Sequence, residues 1–187
     1  MKLNSAIKFG LCLLGALVVG QCYSLGYPQD EGNLTLGGGS GHPAEEVNIP
    51  LYLIPAKDQS VVRVLATFEY PTDSFDFNKI EPSAFAKRNS VSIEVTESQN
   101  ETENSTTTLT VKIDAREGGL LPSGMLALLF FKISEDAQPG IMPLPVVNLQ
   151  ASGINDSSTE KLIGNKGIII IYEPGTAPVF ACFFYLH

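Results

Sequence analysis

The stretch Leu109 to Ile133, LTVKIDAREGGLLPSGMLALLFFKI, decides how the rest of the chain is read. Leu109, Val111 and Ile113 alternate with Thr110, Lys112 and Asp114, the period of two expected of a strand with one buried face. Gly118, Gly119, Pro122, Ser123 and Gly124 then break the pattern and turn the chain. From Met125 to Ile133 every residue but Lys132 is apolar, which predicts a strand inside a sheet with both faces covered.

Shorter alternating runs flank this stretch. Val47, Ile49, Leu51 and Leu53 point one way, while Asn48, Pro50, Tyr52 and Ile54 point the other. Pro50 has no N–H for a ladder, so an edge strand or a bulge is expected there. Val62, Val64, Ala66, Phe68 and Tyr70 oppose Arg63, Leu65, Thr67 and Glu69 in a second such strand, and Val91, Ile93 and Val95 mark a third. The run Asn100 to Thr107 lacks apolar residues and reads as an exposed hairpin tip. Pro71 to Ser90 reads as irregular, anchored by Phe75, Phe77, Ile80 and Phe85. On the C-terminal side, Pro139-Gly140 is a turn, Val146 to Ala151 a strand, Asn155 to Glu160 a polar loop and Gly167 to Tyr172 a last strand. On the N-terminal side, Asn33 to Leu36 is a short first strand and Gly37 to Gly41 a linker or turn. Eight or nine short strands without an amphipathic helix, among 12 prolines and 17 glycines, predict an all-β sandwich. At 187 residues and 44% hydrophobic content, one domain with a substantial core is expected.

The first 24 residues are set apart from that fold. Lys2 and Lys8 precede the apolar run Phe9 to Gly20, and small residues follow, the pattern of a cleaved secretory signal. The run is short for a bilayer span. Cleavage after Ser24 or after Gly20 would satisfy the small-residue requirement. Val19-Gly20-Gln21-Cys22 also resembles a lipobox, with Gln21 where a small residue is usual, so membrane association is expected only through lipidation at Cys22. Cleavage after Gly20 leaves Cys22 and Cys182 as a possible pair in an oxidising compartment; cleavage after Ser24 leaves Cys182 alone, as a thiol among Phe180, Phe183 and Phe184. Residues 25–46 then form an N-terminal segment containing the possible first strand, 33–173 the sandwich, and 174–187 an apolar tail. Loss of Lys2 and Lys8 moves the net charge from -8 to -10, which excludes nucleic acid and anionic lipid as partners.

Several of these segments resemble the cohesin family. Phe68-Glu69-Tyr70-Pro71 followed by Phe75-Asp76-Phe77 is similar to the strand that ends in a Tyr-Asp-Pro turn before an apolar crossover. Leu109-Thr110-Val111, Ser123-Gly124-Met125-Leu126-Ala127 and Phe131-Lys132-Ile133 resemble the family's central hairpin; Asp136 to Gly140 resembles its next turn and Asn148 to Asn155 the strand after it. The resemblance covers residues 33–172 and implies a jelly roll of about nine strands that binds without chemistry. Its expected partners are a polysaccharide or a dockerin-like protein, on a cell surface or outside the cell. Glu69 departs from the family's turn, and no partner-facing residue is carried over.

The residues themselves offer little for catalysis. The two histidines, His42 in a Gly-rich segment and His187 at the end of the sequence, lie in no nucleophile motif, and no His or Cys pair has metal-ligand spacing. Asp73 with Asp76, or Glu101 with Glu103, is the alternative: a loop carboxylate pair of a secreted glycan hydrolase. Solvated charge explains both pairs as well, so no enzyme and no cofactor is expected. Asn155 to Ser158 and the Asp73 to Asp76 turn are the places where calcium oxygens cluster, without a ligand loop of defined spacing. Asn33, Asn100, Asn104 and Asn155 begin Asn-X-Ser/Thr sequons.

Two binding surfaces compete. A sugar platform needs exposed rings, and without any Trp the candidates are Tyr52 and Tyr70. A protein-binding face needs a flat, partly apolar sheet, for which Leu126, Leu128 and Phe130 are the candidates. The tail, with Val179, Phe180, Phe183, Phe184 and Tyr185, either covers those three residues or docks another chain; equally, the three face the second layer of the sandwich.

Overall fold

Each alternating run becomes a strand, and the hydrophobic phase of each run decides which side of its sheet meets the core. The computed structural model describes residues 31–99, 106–154 and 160–176. The signal, Cys22, Cys182, the tail beyond Thr176, the tip 100–105 and the loop 155–159 lie outside them. In chain order the elements are β1 (Gly32–Leu36), β2 (Gly38–Gly41), β3 (Glu46–Ile54), β4 (Arg63–Pro71), β5 (Phe75–Pro82), α1 (Ala84–Arg88), β6 (Ser92–Gln99) and β7 (Thr106–Asp114). They continue with β8 (Gly124–Ile133), β9 (Gly140–Leu144), β10 (Val146–Ser152), β11 (Leu162–Asn165) and β12 (Gly167–Ile171).

The strands make a β-sandwich. One layer is a five-stranded sheet in the order β11-β1-β3-β8-β5, the other a four-stranded sheet in the order β10-β4-β7-β6, and β2-β12-β9 form a third, three-stranded sheet. The described residues hold twelve strands where about nine were expected, and three pairs of them are near-continuous runs. Single residues, Gly37, Pro145 and Lys166, separate β1 from β2, β9 from β10 and β11 from β12, and at each of them a run of chain leaves one sheet for another.

The core lies between the two larger sheets. Val47, Ile49, Leu51, Val64, Phe68, Val111, Ile113, Ala127, Leu129 and Phe131 are all buried, as their phases predict. Phe131 sits at the centre, with the rings of Tyr70, Phe75 and Phe77 edge-on to it at centroid distances of 5.3, 6.4 and 5.6 Å. Such edge-to-face packing adds about 0.5–1.5 kcal/mol per pair to the burial itself.

The structure corrects four expectations. The two strands of the opening stretch are not a hairpin: β7 lies in the four-stranded sheet and β8 in the five-stranded one, so 115–123 crosses between layers. That crossing is tied to the start of β4, Ala115 N–H donating to Val62 O at 2.8 Å and Leu121 N–H to Val61 O at 2.7 Å. Pro50 does not mark an edge, because β3 pairs with β1 on one side and β8 on the other. The bulge alternative fits better: the β3–β8 register slips between Leu51 and Tyr52, and β1 stops pairing at Leu36↔Leu51, just before Pro50.

Gly38–Gly41 is a strand and not a linker, parallel to β12. The glycine at 39 has a packing cause, since a Cβ there would fall 2.5 Å from Val47 Cγ2 and 2.6 Å from Ile49 Cδ1. Finally, the segment Pro71 to Ser90 is ordered into β5 and α1. Ser83 caps α1 by accepting the Ala86 N–H at 3.0 Å and donates its own hydroxyl to Met125 O at 2.6 Å, which pins the helix to β8.

Candidate binding faces

Of the five residues the sequence nominates, three come together. Tyr52, Leu128 and Phe130 share the outer face of the five-stranded sheet, where the β3–β8 register sets Tyr52 opposite Met125, Pro50 opposite Leu128 and Asn48 opposite Phe130. Tyr52 is 37% exposed and Ile54 beside it 39%, while Leu128 and Phe130 are half-buried. Lys79, from β5, lies with its Nζ 4.8 Å from the centroid of the Phe130 ring and pairs with Glu81 at 2.6 Å.

The other two nominees are corrected. Leu126 is fully buried, at the point where the β3–β8 register slips, and offers nothing to a partner. Tyr70 is 2% exposed, because it shares the phase of Val64, Ala66 and Phe68 on β4, and its ring packs on Phe131. Its hydroxyl donates to the Glu97 carboxylate, which enters from edge strand β6. Burial first, and then Glu97, pushes the Tyr70 phenol far above its ordinary value, so it stays a donor. A charge on the edge strand that turns toward the core also makes that edge a poor template for another strand.

The outer face of the four-stranded sheet carries residues the sequence reading passed over. The register aligns them in rows across β10, β4, β7 and β6: Gln150, Leu65, Lys112 and Glu94; then Asn148, Thr67, Thr110 and Thr96. Below them, Glu69 lies beside Thr108, and Pro71 beside Thr106. All are half-buried or exposed. The ion-paired charges are gathered at one end, and one further carboxylate, Glu69, lies toward the other. At the paired end Arg63 Nε lies 2.6 Å from Asp114 Oδ1, and Lys112 Nζ lies 3.0 Å from Asp114 Oδ2 and 3.3 Å from Glu94 Oε2. Burial opposes ionisation of Asp114, but Arg63 and then Lys112 outweigh it and hold the carboxyl below its usual range. The middle is uncharged, with the Thr67 and Thr110 hydroxyl oxygens 3.4 Å apart.

At the far end of this face, Glu69, Tyr70, Pro71, Thr106, Met142, Pro143 and Pro145 line an open cleft of about 240 Å³. The signal for the whole face was in the sequence as the opposite phase of the buried residues, and in the threonine run Thr106 to Thr110.

Of the carboxylates suggested for acid/base work, the described pair stands in solvent. Asp73 accepts the Ser74 hydroxyl at 3.0 Å in the turn before β5, and both it and Asp76 are exposed; Glu101 and Glu103 lie outside the described residues. Among the described residues no group of three His, Cys, Asp or Glu is placed to hold a metal, and no helix is long and apolar enough to cross a membrane.

No protein-family profile and no curated protein matches the sequence. Solved structures do match, with the cohesin fold. The cohesin of a type I cohesin–dockerin complex from Clostridium thermocellum aligns with a TM-score of 0.60 at 15% identity, covering 76% of this chain and 100% of that one. A cohesin from Clostridium acetobutylicum, solved in solution, aligns with a TM-score of 0.55 at 21% identity over 75% of this chain and 90% of that one. A non-cellulosomal cohesin from the archaeon Archaeoglobus fulgidus aligns with a TM-score of 0.55 at 12% identity over 76% of this chain and 92% of that one.

Proposed function

We propose that this chain is a non-catalytic binding module that grips a dockerin-type protein on the outer face of its four-stranded sheet. The observation that carries the reading is the conjunction of a cohesin fold with a sheet face whose middle row is uncharged, with ion pairs gathered at one end and Glu69 toward the other. Desolvating such a middle is cheap, because the centres of protein interfaces are depleted of charge. The β-branched threonines have few rotamers to lose on docking. Nine residues of β7 by four strands give a face of roughly 30 by 19 Å. That is below the roughly 800 Å² per partner of a standard interface. A partner must therefore reach past the sheet, and the cleft at Pro71, Met142 and Pro145 would receive one apolar anchor side chain.

The leader, Lys2 to Gly20, supports a setting outside the cytoplasm, either free after cleavage or held at a membrane through Cys22. Carbohydrate binding rests on less, since Tyr70 is buried and Tyr52 alone of the two proposed rings meets solvent. The deciding experiment is calorimetry of the purified chain against the dockerins of its own source, run beside retention on insoluble cellulose and chitin and an assay for released reducing sugar. Binding to a dockerin that Thr110→Arg abolishes supports the proposal. Retention on a glycan without dockerin binding moves the module to carbohydrate recognition, and sugar release by pure protein overturns both readings.

A further inference from the structure

The outer face of the five-stranded sheet poses a separate problem. Its polar end holds Glu46, Lys132 and Asp76, with Asn78 Nδ2 donating to Glu46 Oε2 at 2.6 Å, around an open pocket of about 340 Å³. Beyond that end Phe130, Leu128, Pro50, Met125, Tyr52 and Ile54 form an apolar stripe. Ile163 of β11 stands beside it, 43% exposed, opposite Asn33 of β1. From Phe130 to Met125 the stripe runs about 17 Å along the strand. A contiguous apolar surface of this kind calls for a cover.

The chain supplies one at the right place. After β12 the chain makes a turn in which Thr176 N–H donates to Glu173 O at 3.1 Å. Pro174 and Gly175, the latter with φ 81°, occupy its middle, as a type II turn requires. His42 Nε2 donates to Thr176 O at 2.7 Å, and Tyr172 N–H donates to Gly41 O at 3.0 Å, which ties the turn to the start of β3. Ala44 N–H donates to Ile133 O at 3.0 Å beside it. Thr176 is therefore held at the Glu46–Lys132 end of the five-stranded sheet, where the polar pocket opens.

Eleven residues of sequence follow, APVFACFFYLH, ten of them uncharged and six of them Val, Phe, Tyr or Leu. Extended, they reach about 36 Å, twice the length of the stripe.

We propose that residues 177–187 fold back along the outer face of the five-stranded sheet and cover Phe130, Leu128 and Tyr52. The occupant is this segment of the same chain. Three things select it over a second copy or a foreign partner: the fixed point from which it departs, its length and its lack of charge. Covering this face with the chain's own tail leaves the four-stranded face open, so the proposal stands whether or not a dockerin binds there.

Proximity can be read chemically. In a chain starting at Leu25, Cys182 is the sole cysteine of the sequence. Asn48→Cys, opposite Phe130, places a second thiol on the covered face, and Thr110→Cys places one on the four-stranded face as a control. Under mild oxidation the Asn48→Cys chain should form an intramolecular disulfide in most of the monomer, and the Thr110→Cys chain should not. Free thiols in monomeric Asn48→Cys, or disulfide-linked dimers in place of monomers, would overturn the proposal, the latter in favour of a second copy. A companion variant, Phe183→Ser with Phe184→Ser, should raise binding of an apolar dye several-fold with the sandwich intact by circular dichroism. Unchanged dye binding would likewise count against it.

Discussion

The two outer faces of the sandwich are built on the same backbone plan and differ in what their outward phase carries. On the four-stranded sheet that phase is Leu65, Thr67, Thr96, Thr110, Asn148 and Gln150, with the ion pairs of Arg63, Asp114, Lys112 and Glu94 gathered at one end. On the five-stranded sheet it is Tyr52, Ile54, Leu128 and Phe130. A threonine-rich face tolerates water and can also give it up, which suits a surface that meets its partner intermittently. An aromatic and aliphatic stripe does not tolerate water, which suits a surface covered from the start. If the proposed face is the one that binds, apolar content alone is a poor guide to a reversible partner's surface.

The sharpest way to break this comparison is to attack the layer both faces rest on. Phe131→Ala should cost about 3–5 kcal/mol by chemical denaturation, since Phe131 is 1% exposed inside a cage of three rings. A cost below about 1 kcal/mol would show that the inner phase is misassigned. Next in size, Thr110→Arg should weaken dockerin binding at least tenfold, about 1.4 kcal/mol, while Phe130→Arg leaves that affinity alone. Equal losses from both variants would erase the distinction between the faces. Smaller still, Lys79→Ala removes an exposed contact with the Phe130 ring and should leave the denaturation midpoint close to that of the parent chain. A large fall in that midpoint would mean that the ring is already sealed from water.

The smallest effect is a pH dependence at the turn that starts the tail. The Thr176 carbonyl, and after it Glu45, raises the His42 pKa above 6.5, and the His42 backbone N–H and then its ring lower the Glu45 pKa below 4.5. A raised histidine contributes fully below its unfolded value and loses that contribution as pH climbs through the folded one. A depressed carboxylate contributes above its unfolded value and loses it as pH falls through the folded one. The clasp is thus tightest between about pH 4.5 and 6.5. Amide exchange of Tyr172 and Thr176 should be slowest there relative to the intrinsic rate. His42→Ala should flatten the profile, and a profile that is already flat in the parent chain would dissociate the clasp from titration.

Much of the sandwich was legible because a strand with one buried face writes its phase directly into the sequence, as Leu109, Val111 and Ile113 do. Periodicity carries no information about which strand lies beside which. Hence β7 and β8, adjacent in sequence and joined by a turn-rich connection, were expected to pair, whereas they face each other across the core. Gly38–Gly41 was illegible for a different reason: a side chain at Gly39 would strike Val47 and Ile49, a requirement visible only once the neighbour is in place. The register slip between Phe77 and Lys79 blurred the alternation of β5 in the same way. For the binding face the lapse was one of chemistry. Tyr70 shares the buried phase of Phe68, so the β4 pattern places its ring inside, whatever a ring of that type could do for a sugar.

The parallel pairing of β1 with β11 and of β2 with β12 also fixes how the module carries tension. The register runs from Gly32↔Leu162 to Thr35↔Asn165 and on from Gly38↔Ile168 to Gly41↔Ile171. A pull applied on the N-terminal side of Gly32 and on the C-terminal side of Ile171 draws these parallel strands past each other lengthwise. The hydrogen bonds of both ladders lie across that line and share the load, so they must yield together and not one at a time from an end. A tether built this way resists sliding far better than a hairpin peeled from its tip, and it does so with the strands nearest the points where a neighbouring segment would pull.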